Sequence, residues 1–139
     1  MIIEISNRTK SKLPLTELEA VIKKFLLSRR LSTKEVSLVI VGDTLMRRLN
    51  KETRGKDKIT DVLSFREADS ESIRPKFLGE VVIDYQQIKR QAKTFQTSVK
   101  QELIFILVHG LLHLVGYDDK TDKEAKVMEE LGHKFIAKL

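Results

Sequence analysis

The sequence predicts an α+β protein, a small four-stranded mixed sheet covered by about five helices and folded as a single domain over residues 1–139. Four short runs rich in β-branched or large apolar residues mark the strands, each bounded by turn or charged residues. Between and after these runs, apolar residues recur every three or four positions, the period of an amphipathic helix. With 41% hydrophobic residues over 139 positions the chain has apolar surface for one core. A domain of this length buries roughly two-thirds of the surface that its unfolded chain exposes.

Ile2 to Ser6 reads as the first strand and Glu35 to Val41 as the second. Between them Pro14 stands near a helix start. Leu18, Val21, Ile22, Phe25 and Leu26 then share one face, so Leu15 to Arg30 reads as an amphipathic helix. Strand, helix and strand make a βαβ unit, which predicts parallel pairing of the first two strands through a right-handed crossover. Asp43 is placed to cap a short helix carrying Leu45, Met46 and Leu49, and the charged segment Lys51 to Lys58 reads as a loop. Asp61 to Phe65 is the third strand. The polar stretch Arg66 to Phe77, with Pro75 near its end, reads as a mobile surface loop before the fourth strand, Leu78 to Ile83.

Tyr85 to Phe95 is expected to be helical. Ser98 with Gln101 makes a capping box that opens a second helix through Leu114, buried near the centre of the fold and stopped by Gly116. Thr121 and Glu124 repeat the box ahead of a last helix, whose apolar stripe is Val127, Met128, Leu131, Phe135 and Ile136. No internal repeat occurs, and no Gly-, Ser- or Pro-rich linker divides the chain.

Several function classes are excluded at this level. Without cysteine there is no disulfide scaffold, thiolate zinc ribbon or cysteine nucleophile, so any metal site must be built from histidine and carboxylate. The opening segment carries Glu4 and no leading basic stretch, unlike a secretory signal, and export is not expected. The longest apolar stretch, Leu103 to Tyr117, is broken by His109 and His113 and is shorter than the roughly 20 residues that span a bilayer. Twenty-six Lys and Arg against twenty Asp and Glu give a net charge of +6, a field that favours anionic partners such as RNA. Net charge alone is a weak argument, because many basic domains bind no nucleic acid.

His109 and His113 stand four residues apart on the central helix, so both imidazoles leave one face about a turn apart, the spacing that chelates a single ion. Gly116 permits a sharp turn, after which Asp118 or Asp119 could fold back as a third ligand. Two neutral histidines could instead satisfy hydrogen bonds within the core. Burying both among Leu, Ile and Val costs free energy unless something pairs them, which favours the metal. Three protein ligands leave a position for water, whose pKa a divalent ion brings towards about 7. The spacing is also close to that of metzincin proteases, but their general base directly follows the first histidine, and Gly110 stands there.

A second segment, Asn50 to Phe65, joins a basic loop to a strand. Arg54 beside Gly55 presents a forked guanidinium suited to a phosphate, with Lys56 and Lys58 adding charge. The plainer reading is a solvated charged loop in which Glu52 and Asp57 cancel part of that charge. Thr60 and Asp61 read as fixing the strand entry. His133 reads as an exposed residue on the last helix, and Tyr117 as packing under the metal loop in preference to stacking on a base.

The segments His109 to Asp119, Arg54 to Phe65 and Leu78 to Ile83 together resemble the YbeY family of bacterial metal-dependent endoribonucleases in order and spacing, and the resemblance covers nearly the whole chain. It implies a single-strand-specific endoribonuclease that acts in rRNA maturation, notably at the 3′ end of the small-subunit rRNA, and in ribosome quality control. It further implies a cytoplasmic protein that meets the small ribosomal subunit, with no membrane or DNA partner. The implied cofactor is one divalent ion, zinc, held by His109, His113 and Asp119, with Arg54 as the family's functional arginine. The family usually has a third histidine where this chain has Asp119, with Asp118 as the alternative ligand. A carboxylate is harder than imidazole and could favour manganese or magnesium relative to the three-histidine site. The other reading is an rRNA-binding assembly factor whose metal is structural.

Overall fold

Ile2–Asn7 (β1) alternates between exposed and half-buried residues, whereas Glu35–Val41 (β2) has no exposed residue and buries Val36, Leu38, Ile40 and Val41, which distinguishes an edge strand from a central one. The computed structural model describes residues 2–71 and 74–139. Val62–Arg66 (β3) and Phe77–Asp84 (β4) complete a four-stranded sheet in the order β1-β2-β4-β3. β1 pairs with β2 in parallel, as the crossover unit requires, setting Ile3 beside Val36 and Ile5 beside Leu38. β4 lies parallel to β2 and antiparallel to β3, so the sheet is mixed.

Five α-helices are described: Leu15–Ser28 (α1), Asp43–Arg54 (α2), Tyr85–Phe95 (α3), Val99–Leu114 (α4) and Asp122–Ile136 (α5). Because side chains alternate across a strand, Leu38 and Ile40 of β2 and Val81 and Ile83 of β4 face one way. They bury against Leu18, Ile22, Phe25 and Leu26 of α1 and Leu103, Leu107 and Leu111 of α4. Val41, Val82 and Leu63 take the other face, where Met46 of α2 covers them.

Several expectations are corrected. Asp43 does not cap α2. Gly42 holds the cap position, and Asp43 is the first helical residue. Its N–H donates to Gln86 Oε1 at 2.8 Å, and its carboxylate is drawn to the Arg90 guanidinium at 2.7 Å, both partners lying on α3. α2 also runs four residues into the expected loop, through Arg54. It stops at Gly55, whose left-handed φ of 70° suits a C-terminal cap, rather than where charge begins. α1 ends at Ser28, and Arg30 just beyond has a positive φ of 57°. The stretch after β3 opens with a 3₁₀ turn, Glu67–Asp69, and is laced by Arg66–Asp69 and Arg74–Glu67 ion pairs at 2.9 and 3.1 Å. Phe77 is already in β4, and Ser72 and Ile73 lie outside the described residues.

Candidate metal centre

α4 is fixed at both ends. At its start the Gln101 N–H donates to Ser98 Oγ and the Ser98 N–H donates to Gln101 Oε1, each at 3.0 Å. At its end Gly116 turns the chain at φ 106°, its N–H donating to the His113 carbonyl at 3.1 Å. In mid-helix the sheet comes unusually close. A Cβ at position 110 would lie 2.7 Å from Val81 Cγ1, and the Ser64 hydroxyl donates to the Gly110 carbonyl at 3.0 Å. The residue after the first histidine therefore faces the sheet, and no carboxylate side chain fits where a metzincin would place its base.

On the neighbouring face His109 and His113 stand with ring centroids 4.8 Å apart and Nε2 atoms 3.2 Å apart. The turn after Gly116 brings Asp119 Oδ2 to 3.2 Å from His109 Nε2 and 3.6 Å from His113 Nε2. Asp118 approaches only the outer nitrogen of His113, at 4.0 Å, so Asp119 completes the cluster. Donors about 2.0–2.2 Å from a tetrahedral ion stand about 3.3–3.6 Å from one another, and the three spacings fall close to that range.

The protonation pattern also fits an ion. His113 Nδ1 lies 2.9 Å from the Tyr117 carbonyl, which only an N–H can satisfy, so in the neutral imidazole the lone pair is on Nε2, which faces the cluster. Burial, then the neighbouring His113, holds the His109 pKa below the usual imidazole value, against the pull of the Asp119 and Asp61 carboxylates. A neutral His109 is the form that binds metal. Among the described residues no fourth His, Cys, Asp or Glu joins the cluster.

The cluster lies in a cleft of about 640 Å³, with Arg54, Lys56, Lys58, Arg66 and Lys120 among the residues around it. Arg54 is on the last turn of α2, not in a loop, and its Nη2 donates to the Ser64 carbonyl at 2.7 Å while the guanidinium sits 5.1 Å above the Phe65 ring. No carboxylate pairs with it among the described residues, which leaves its charge to the cleft. The loop after it is held by Asn50, a buried side chain whose Nδ2 donates to the Lys58 carbonyl at 2.9 Å.

Sequence reading alone did not identify Arg66, Lys120 and Asp61 as lining this cleft. The period-two alternation of β3, which sends Val62, Ser64 and Arg66 to one side, could have found Arg66. Asp61 does fix the strand entry, since its carbonyl accepts the Asp84 N–H at 2.9 Å, yet its carboxylate also acts on His109 across the cleft. His133 is exposed, as expected, with Nε2 lying 3.7 Å from the Glu129 carboxylate and the ring stacked on Phe105 at 4.9 Å. Tyr117 packs beneath the turn, where its hydroxyl accepts from Arg29 Nη1 at 3.1 Å.

A mixed sheet that backs two imidazoles and a carboxylate at the centre of an arginine- and lysine-lined cleft is the frame of a hydrolase for phosphate-bearing substrates. Residues 4–139 match the family model described as endoribonuclease YbeY, and the chain belongs to that family. A Sulfurihydrogenibium protein of that name is 39% identical over 123 residues, 88% of this chain and 81% of the relative. A Finegoldia magna endoribonuclease YbeY is 37% identical over 145 aligned residues, 95% of either chain. The solution structure of a Thermotoga maritima protein shares the fold, with a TM-score of 0.68 at 28% identity, covering 97% of this chain and 87% of that one. Among the described residues no helix is long and apolar enough to cross a membrane.

Proposed function

We propose that this chain is a metal-dependent, single-strand-specific endoribonuclease of rRNA maturation, in which His109, His113 and Asp119 hold one zinc ion and Arg54 binds the scissile phosphate. The observation that carries the reading is the convergence of three donor atoms within 3.6 Å of one another in the same cleft as Arg54. A divalent ion bound there supplies a Lewis acid and an acidified water for phosphodiester hydrolysis. Three protein ligands are the count of a catalytic centre, whereas structural zinc takes four, which favours the enzyme over a passive assembly factor.

The chain's own residues supply the rest. The Tyr117 carbonyl fixes the tautomer and orientation of His113. Arg54, anchored on the Ser64 carbonyl, directs its remaining N–H donors at the non-bridging oxygens, where charge grows as the phosphorus becomes five-coordinate. Lys56, Lys58 and Lys120 hold the flanking phosphates without reading sequence. The small ribosomal subunit as partner and the cytoplasm as site of action follow from the family resemblance.

The test is cleavage of a labelled single-stranded RNA by the wild type and by His113→Ala purified identically. Metal-dependent cutting by the wild type alone supports the reading. Equal cutting by both, or by neither, removes the nuclease and leaves an RNA-binding factor.

A further inference from the structure

Beside the cleft lies a second groove, of about 390 Å³, between the C-terminal end of α1, the turn Glu67–Asp69 and the end of α4. Leu31, Leu78 and Leu114 give it apolar walls, exposed Ala68 forms part of its rim, and Arg29 and Arg66 enter it. Arg66 lines both depressions, and a Cβ on Gly116 would lie 3.5 Å from Arg66 Nη1. The groove thus adjoins the metal-bearing cleft at one guanidinium.

We infer that this groove is a subsite for one unstacked nucleobase of the RNA strand whose scissile phosphate lies at the histidine cluster, with Arg29 holding a phosphate beside that base. The inference rests on the nuclease reading and adds a place for the neighbouring nucleotide. Arg29 is half-buried, its Nη1 donates to the Tyr117 hydroxyl at 3.1 Å, and its guanidinium lies 5.2 Å from the Tyr117 ring centroid. No carboxylate pairs with it among the described residues. A partly desolvated cation without a carboxylate, next to apolar walls, suits a ligand that is apolar and flat at one end and anionic at the other. Arg66 is already paired with Asp69, at 2.9 and 3.3 Å, so Arg29 is the cation left for the anion.

The volume falls within the roughly 300–1,000 Å³ of small-ligand sites, and a base can enter only by leaving its stack. That requirement gives the preference for single strands a physical source. Aliphatic walls contact any base face, so occupancy is expected with little base preference.

The experiment uses the full chain with its metal and a short single-stranded RNA whose cleavage position has been mapped. Abasic sites are placed in turn at the nucleotides flanking that position, which leaves the protein unaltered. One abasic position should raise KM by at least about fivefold with kcat little changed. Ala68→Leu, which narrows the groove from its exposed rim, should raise KM on intact RNA and show no further loss at that abasic position. With chelated protein, which should bind without cutting, 2-aminopurine at the same position should brighten as it leaves the stack. The subsite is overturned if RNA is cut in a metal-dependent way yet every abasic substrate and Ala68→Leu keep KM within about twofold of the control. That result would hand the groove to another occupant, such as an apolar side chain of a protein partner. Failure to cut any RNA, with His113→Ala indistinguishable from wild type, would instead remove the nuclease reading and the subsite with it.

Discussion

Ser64 donates its hydroxyl hydrogen to the Gly110 carbonyl across 3.0 Å, one residue beyond His109. Its own carbonyl receives Arg54 Nη2 at 2.7 Å. One residue of β3 thus ties the guanidinium at the end of α2 to the histidine-bearing turn of α4, elements that are far apart in sequence. Position 110 must be glycine for this approach, because the β4 side chain of Val81 occupies the space of a Cβ.

Arg54→Ala should separate activity from stability. The guanidinium is exposed and makes one hydrogen bond to the backbone, so its loss should change unfolding free energy by no more than about 1 kcal/mol. Cleavage should fall by about 10²–10³-fold, the range for removing one donor from a developing oxyanion. Paired denaturation and kcat/KM measurements check this. A fall in stability matching the fall in activity would make Arg54 a structural residue.

Gly110→Ala should destabilise by about 1–2 kcal/mol even though alanine is the better helix former. The added methyl would meet Val81 Cγ1 at 2.7 Å and Ser64 Oγ at 3.3 Å, and Val81 is fully buried with nowhere to move. Gly110→Glu, which restores a protease-like pattern, should fail to fold. Urea unfolding of the alanine variant decides it, and wild-type stability there would contradict the close packing of α4 on the sheet.

Chelation should lower the melting temperature by about 5–10 °C, the effect of an ion bound at roughly a hundred times its Kd in a protein of this size. His113→Ala should show no response to chelator or to added zinc. Asp119→His should retain a response and bind zinc still more strongly relative to manganese, because imidazole is the softer donor. Equal chelator sensitivity in wild type and His113→Ala would place the ion elsewhere.

Much of this was legible in the sequence because it is local. The strands and the amphipathic helices announce themselves by period, and His109, His113 and the Gly116 turn lie within a single turn-helix unit. What sequence reading missed depends on contacts between elements. Asp43 looks like a cap, yet Gly42 holds the cap position while Gln86 and Arg90 of α3 engage the Asp43 amide and carboxylate. The last turn of α2 has no apolar period to reveal it, and its signal was Gly55. Arg66 and Asp61 reach the cleft only because β3 pairs with β4 under α4. The choice of Asp119 over Asp118 rests on how the turn after Gly116 folds back, which spacing alone leaves open.

The last prediction concerns pH. Asp84 is fully buried at the N-terminus of α3, where Oδ1 accepts the N–H groups of Gln86 and Gln87 at 3.1 and 3.4 Å, and Oδ2 has no donor among the described residues. Burial first, then the hydrogen-bonded carboxylate of Asp43, pushes its pKa up to about 7. Asp43 itself is held below the usual range, chiefly by Arg90, so the proton of the pair resides on Asp84. In the unfolded chain an aspartate titrates near about 3.9. Between these values the folded state keeps a proton that the unfolded state has released. The Asp84 contribution is therefore complete below about pH 4, is lost as pH rises to about 7, and is constant above that. Asp84→Asn keeps an acceptor for the helix N-terminus and points a permanent N–H donor at Asp43. The stability of wild type relative to this variant should thus decline by about 2–4 kcal/mol from pH 4 to pH 7 and then level off. Urea unfolding of both proteins across that range measures the difference, and a flat difference would show that Asp84 is ionised throughout.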